Sequence, residues 1–149
     1  VQVLLFSPIG AAIPDLAGRV AYLLSTAAVL VVVIANVRIP GAPVIAAGAA
    51  ANLAAIAANG GVMPADPTAL AVAGIALDGP SNSAVVATPA LRALTDIFAI
   101  PAAVPLANVF SVGDVLVGLG VAIAIAAAMR RSPNVMPPTG PRNQSSAPR

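Results

Sequence analysis

One stretch constrains this chain more than any other. In Asn108–Met129 a helix-start signal is followed by an apolar run that stops at two arginines. Ser111 and Asp114 have the spacing of a capping box, in which each side chain satisfies a backbone N–H at the first turn. The run from Ser111 to Met129 is about 19 residues, or roughly 28 Å of helix, close to the ~30 Å hydrocarbon core of a bilayer. We therefore predict a transmembrane helix over residues 111–129.

Two further runs without proline predict helices of the same kind. The chain has 15 prolines, and none of them interrupts Leu16–Val37 or Val44–Ala58. The first run is long and aliphatic, and we predict that it is a second span. The other is short and rich in alanine, so we expect a third span that packs against the other helices. The predicted fold class is an all-α membrane protein with three transmembrane helices.

Small and polar residues indicate how these spans would pack. Gly48 in the second span, and Gly118 and Gly120 in the third, would let helix backbones approach closely. Asn52, near the centre of the second span, is expected to form a hydrogen bond across a helix interface. The alternative for Asn52 is a contact with a ligand or an ion.

The segment between the second and third spans, Asn59–Ala107, is about 49 residues long and rich in Pro and Gly, too long for a simple hairpin loop. Asn59 and the two glycines after it are expected to end the second helix. Asp66-Pro67 has the pattern of an N-cap followed by proline in the first turn, and predicts a short helix that ends near Gly74.

A second short helix is expected within the same segment. Leu91, Leu94 and Phe98 would share one face of a helix over Pro89–Phe98, with Arg92 and Asp96 paired on the other, solvated face. Such one-sided helices are expected to lie at the membrane interface or against the helix bundle.

Arginine sets the expected orientation. Arg38 follows the first span, and Arg130 and Arg131 follow the third. By the positive-inside rule, both of these ends face the cytoplasm and the segment 59–107 faces outward. We predict a single multi-pass domain over residues 1–131 in a bacterial plasma (inner) membrane. The Pro- and Ser-rich tail, 132–149, is predicted to be disordered and cytoplasmic.

The first residues, Val1–Phe6, are apolar but too few to cross a bilayer. We interpret them as the end of a fourth helix that lies upstream. A cleaved signal peptide is the alternative, although it would normally carry a basic region that is not present here.

Composition excludes most catalytic chemistry. The sequence contains no Cys and no His, and it also lacks Lys and Glu, so the usual nucleophiles, bases and metal ligands are missing. We therefore expect no enzymatic activity, no cofactor and no metal site. A net charge of +2 gives no argument for binding to nucleic acid.

Asp114 is the residue with the strongest functional interpretation, because ionisable groups within membrane segments often mark functional sites. Its position at a helix start also explains the charge without any further role. Ser111, Asn108 and Asn59 could join it in one outward-facing cluster, either functional or helix-capping.

Several motifs resemble a known family. Asn59–Pro64, Thr88-Pro89 and above all Asn108–Leu116 are similar to a family of small bacterial membrane proteins, common in actinobacteria and chloroflexi, that is classed as a domain of unknown function. The resemblance covers nearly the whole chain except the tail. It implies a multi-pass topology with one more helix ahead of Val1, and it supplies no catalytic residues.

Two functions remain open. The first is a non-catalytic integral membrane protein, an accessory or structural subunit whose partners are the lipid bilayer and other membrane protein subunits. The second is a small transporter, channel or lipid-binding protein that acts as a homo-oligomer, with Asp114 lining its site.

Overall fold

The computed structural model describes residues 15–77 and 83–130. The predictions for Val1–Phe6 and for the tail 132–149 lie outside these residues. The described chain is mostly helical, with four helices, one 3₁₀ turn and four very short strands. In chain order these are α1 Asp15–Ala35, α2 Ala42–Ala58, β1 Met63–Pro64, α3 Pro67–Ala73, β2 Ser83–Ala84, the 3₁₀ turn Arg92–Leu94, β3 Phe98–Ile100, β4 Asn108–Phe110 and α4 Val112–Arg130.

The three long helices lie where the sequence predicts them, and α2 is the central one, in contact with both α1 and α4. Two of them, α1 and α4, are long and apolar enough to cross a membrane. With 17 residues, α2 is an apolar helix at the lower limit of the roughly 17–25 residues expected of a span. The helical class is therefore confirmed, whereas the number of spans stays a prediction.

The α2–α4 contact is made through glycine. A Cβ atom added to Gly48 would collide with the carbonyl oxygen of Gly113, and one added to Gly120 would lie 2.8 Å from the carbonyl oxygen of Gly41. The helices are antiparallel, because the later residue on one meets the earlier residue on the other. Gly118 has no atom within 4 Å of such a Cβ, so this glycine does not contribute to the expected packing.

The end of the helices at which α2 leads into β1 is closed by a small apolar core. It contains Tyr22 of α1, Ala55 and Ile56 of α2, and Met63 of β1, and Leu94 packs against them. The segment that follows α2 is thus anchored to the helices from its first strand.

The segment 59–107 is organised around Pro64–Asp66. β1 pairs in parallel with β2, and the N–H of Ala65 donates to the carbonyl oxygen of Ala84 at 2.9 Å. On the other side, the N–H of Asp96 donates to the carbonyl oxygen of Pro64, and the N–H of Asp66 donates to that of Asp96, each at 3.0 Å. Three distant pieces of chain are thereby joined by backbone bonds, as buried backbone groups require.

The first short helix predicted in this segment is confirmed as α3. The carboxylate of Asp66 accepts hydrogen bonds from the N–H groups of Thr68 at 2.9 Å and Ala69 at 3.3 Å. The helix ends at Gly74, which has a φ of 66°, a left-handed conformation that glycine adopts without steric cost.

The prediction of a second short helix over Pro89–Phe98 is wrong. Only Arg92–Leu94 form a 3₁₀ turn, after which Thr95 is extended and Phe98 begins β3, paired antiparallel with β4. Arg92 forms its ion pair with Asp66, at 3.2 Å, and not with Asp96. A short apolar run fits a strand as well as a helix, and here backbone pairing with Pro64 and with β4 favours the extended form.

We expect Gly48→Ala to lower the free energy of unfolding in detergent by about 1–3 kcal/mol, because the new methyl group overpacks the α2–α4 contact. Gly118→Ala is the matched control on open helix surface and should change the same quantity by less than about 1 kcal/mol, on the stabilising side. Equal effects of the two substitutions would contradict a close backbone contact at Gly48.

Candidate functional site

The start of α4 carries the reciprocal hydrogen bonds of a capping box. The N–H of Asp114 donates to Oγ of Ser111 at 3.1 Å. In return, the N–H of Ser111 donates to Oδ2 of Asp114 at 2.9 Å. These bonds satisfy two backbone donors that a helix start otherwise leaves without partners.

Asn52 of α2 completes this arrangement across the helix interface. Its Nδ2 donates to Oδ1 of Asp114 at 2.7 Å. Oγ of Ser111 lies 2.8 Å from Oδ1 of Asn52 and 2.9 Å from Oδ2 of Asp114, and its single proton can be donated to one of them at a time. We call Asn52, Ser111 and Asp114 the polar cluster.

The polar cluster forms where side chains larger than glycine are excluded. Gly113 lies between Ser111 and Asp114, and a Cβ atom added to it would collide with the amide of Asn52. Ser111 is fully buried, whereas Asp114 is exposed on one side. The cluster is therefore closed toward the helix interface and open toward the surface at the carboxylate.

A second carboxylate, that of Asp96, interacts electrostatically with Asp114 of the polar cluster. Its exposed fraction is 6%, and Oδ2 accepts a long hydrogen bond of 3.4 Å from Oγ of Ser83. The pKa of Asp96 is raised to about 6, chiefly by burial and in addition by the negative charge of Asp114, while the hydrogen bond from Ser83 acts in the opposite direction. Asp96 thus titrates much closer to neutrality than an ordinary aspartate.

Sequence reasoning missed the relation between Asp96 and Asp114. It placed Asp96 on a solvated helix face, and no spacing in the sequence connects the two positions. The only signal was the scarcity of acidic residues, since the whole chain has just 5.

The other two candidate residues lie in different surroundings. The side chain of Asn59 donates from Nδ2 to the carbonyl oxygens of Ala55 at 2.7 Å and Ala90 at 2.9 Å, and its Oδ1 accepts from the N–H of Ala90 at 2.9 Å. It therefore joins the end of α2 to the loop at Ala90. Asn108 is exposed and accepts from the N–H of Val109 at 3.0 Å. Neither is hydrogen-bonded to the polar cluster.

Two open cavities flank the ion pair of Asp66 and Arg92, with volumes of about 790 and 490 Å³. The pKa of Asp66 is lowered, chiefly because its carboxylate accepts the N–H of Thr68. Along the described ranges, no three acidic side chains converge as a carboxylate metal site would require.

Comparison with known proteins places this arrangement in a family. A model of a family of unknown function, DUF5317, matches residues 1–126. The chain belongs to the DUF5317 family. The match includes the whole polar cluster and the segment 59–107 of this DUF5317 protein. No curated protein and no solved structure matches the chain.

Asp96 makes the stability of this DUF5317 protein depend on pH. Because its pKa is about 6 in the folded state against 3.8 ordinarily, the folded protein binds the proton more tightly. The contribution of Asp96 to stability is then fully present below about pH 4 and is lost as the pH rises through about 6. We expect Asp96→Asn to flatten this part of the pH profile and to raise the melting temperature at neutral pH.

The control for this prediction is Asp66→Asn. The pKa of Asp66 is shifted in the opposite direction, so its stabilising effect is lost as the pH falls, not as it rises. This substitution should destabilise the protein at neutral pH and leave the change between about pH 4 and 6 in place. If Asp96→Asn leaves the dependence of stability on pH unchanged, the assignment of this dependence to Asp96 is contradicted.

Proposed function

We propose that this DUF5317 protein is a non-catalytic integral membrane protein that acts as an accessory or structural subunit of a larger membrane complex. One observation carries the proposal: apolar side chains are exposed along α1 and α4, while the polar groups between α2 and α4 bond to one another. The surface is thus suited to lipid and to partner helices rather than to a soluble substrate.

The exposed apolar side chains support a membrane location. They recur along both long helices, and their density exceeds the scattered apolar residues that a water-soluble surface tolerates. A core helix of a soluble protein would have its apolar side chains buried instead. The exposed residues include Leu16, Leu24, Val31, Val32 and Ile34 on α1, and Val115, Leu119, Val121, Ile125 and Met129 on α4.

The positions of the arginines support the orientation. Arg38 precedes α2, and Arg130 ends α4 on the same side, because the two helices are antiparallel. This end would face the cytoplasm of a bacterial cell under the positive-inside rule. Arg19 lies at the opposite end of the helices, where a Cβ atom added to Gly61 would lie 2.9 Å from the Cβ atom of Arg19.

Single-cysteine labelling tests this orientation directly, because the native chain contains no cysteine. Leu106→Cys lies in the outward segment, and Val37→Cys follows α1 at the other end. We expect a membrane-impermeant maleimide to label the first in intact cells and the second only after permeabilisation. The reverse pattern would overturn the orientation, and recovery of both variants in the soluble fraction would overturn the membrane location.

An exposed apolar tip supports a protein partner. Leu106, in the connection between β3 and β4, is 90% exposed, and Val104 beside it is 47% exposed. Leu106 also has a φ of 66°, a left-handed conformation that is unfavourable for a branched side chain. An exposed leucine held in a strained conformation is better explained by contact with another surface than by stability of the isolated chain.

Assembly should therefore depend on Leu106. After gentle extraction from the host membrane, we expect the native mass to correspond to a larger assembly with other chains. Leu106→Asn should release the protein from this assembly without destabilising it, because asparagine tolerates a left-handed backbone. Leu91→Asn is the control, since Leu91 is the other leucine with positive φ, at 52°. A wild-type protein that migrates alone or as a small homo-oligomer would overturn the accessory-subunit proposal.

The second candidate is a small proton- or ion-coupled transporter, and the raised pKa of Asp96 favours it. A buried carboxylate with a pKa of about 6, raised in part by the charge of Asp114, can take up and release a proton near neutral pH. Under this alternative, Asp114→Asn would abolish a flux in vesicles while the protein remains folded. Under the accessory-subunit proposal, it would change stability or assembly modestly and leave no transport defect.

A further inference from the structure

A groove lies at the arginine-rich end of the helices, opposite the polar cluster. It is formed between the turn that leads into α2 and the last two turns of α4, and its volume is about 320 Å³. All of its lining residues are apolar: Ile39, Pro40, Ala124, Ala127 and Ala128. The surface of this groove is mostly apolar and offers water few hydrogen-bonding partners, which suits a hydrocarbon chain.

Two arginines border this groove. Arg38 directly precedes Ile39, and Arg130 lies three residues beyond Ala127, on the same helix face. Both are exposed, and the one ion pair found in the described part of the chain, that of Arg92 with Asp66, involves neither. No described residue occupies the donors of either guanidinium, and these donors can bind an anion.

We propose that this groove binds one anionic phospholipid, with an acyl chain along Ile39 and the alanines and the headgroup phosphate between Arg38 and Arg130. The site rests on the membrane location in the proposed function and extends it to a specific lipid class. A basic pocket at the cytoplasmic end of membrane helices is the setting in which anionic headgroups are recognised.

The charges at this end favour an anion. The C-terminus of α4 contributes a partial negative charge of roughly half an electron, which two full positive charges outweigh. Zwitterionic lipids carry a compensating cation in the headgroup and gain less from this field. The groove and the arginines together therefore select for both a hydrocarbon chain and a net negative headgroup.

Native mass spectrometry of the protein released from nanodiscs tests the site. The nanodiscs contain phosphatidylcholine with an equal amount of phosphatidylglycerol, and the readout is the ratio of the two lipids retained. We expect the wild type to retain phosphatidylglycerol preferentially, and each of Arg38→Gln and Arg130→Gln to reduce this preference about fivefold. Arg19→Gln, at the opposite end of the helices, is the matched charge control and should leave the preference unchanged.

The groove is tested separately from the charge. Ala128→Leu fills the groove and keeps both arginines, so it should also reduce lipid retention, whereas Ala122→Leu places the same side chain elsewhere on the exposed surface of α4 and should not. Soluble glycerol 3-phosphate should not compete with the lipid. Competition by glycerol 3-phosphate would show that the site binds a phosphate group without an acyl chain, and would overturn the proposal of a lipid site.

The outcomes separate this proposal from the proposed function. A protein that enters nanodiscs but retains both lipids equally overturns the lipid site and leaves the membrane location intact. A protein that does not enter nanodiscs overturns the membrane location and the lipid site with it. A preference lost equally in Arg19→Gln would reduce the effect to overall charge and overturn the site.

Discussion

The approach of α2 to α4 is a contact between backbones, and the other contacts of the helices depend on it. Two glycines on the α2 side, Gly41 and Gly48, lie against Gly120 and Gly113 on α4. Because no side chains separate the helices there, the short amide of Asn52 can reach the first turn of α4. The hydrogen bonds of the polar cluster thus depend on the glycine contact. A single methyl group at that contact would push α2 and α4 apart and lengthen these hydrogen bonds.

The segment 59–107 is stabilised in a different way, by hydrogen bonds that satisfy its buried backbone groups. Its two-residue strands are too short to be stable by themselves. They persist because Pro64–Asp66 bonds to Ser83–Ala84 on one side and to Asp96 on the other, while Asn59 ties Ala90 to the end of α2. This arrangement also explains why Asp96 is buried: its backbone is part of the central pairing, and its carboxylate is carried inside with it.

The positions of the long helices and of the Ser111–Asp114 cap can be predicted from the sequence, whereas the structure of the segment 59–107 largely cannot. Apolar runs, proline gaps and the Ser111–Asp114 spacing are local signals, and the helices and the capping box follow from them. The extended form of Thr95–Ile100 depends on partners at Pro64 and at Asn108–Phe110, which no local pattern reveals. For the same reason Arg92 was paired with its sequence neighbour Asp96, although the fold brings Asp66 closer. Gly118 shows that sequence reasoning is also limited within a predicted helix. Composition does not tell that Gly120 faces α2 and that Gly118 does not.

The distance in sequence between α2 and α4 has a consequence for the biogenesis of the protein. If these helices cross a membrane as proposed, α2 leaves the ribosome well before α4. Until α4 is made, the amide of Asn52 lacks both of its bonding partners, and an alanine-rich helix gains little from lipid. During that interval, α1 is the one described helix that can support α2. The α2–α4 contact is then established only when α4 inserts, so interruptions of synthesis within the segment 59–107 leave an intermediate that the membrane insertion machinery must retain.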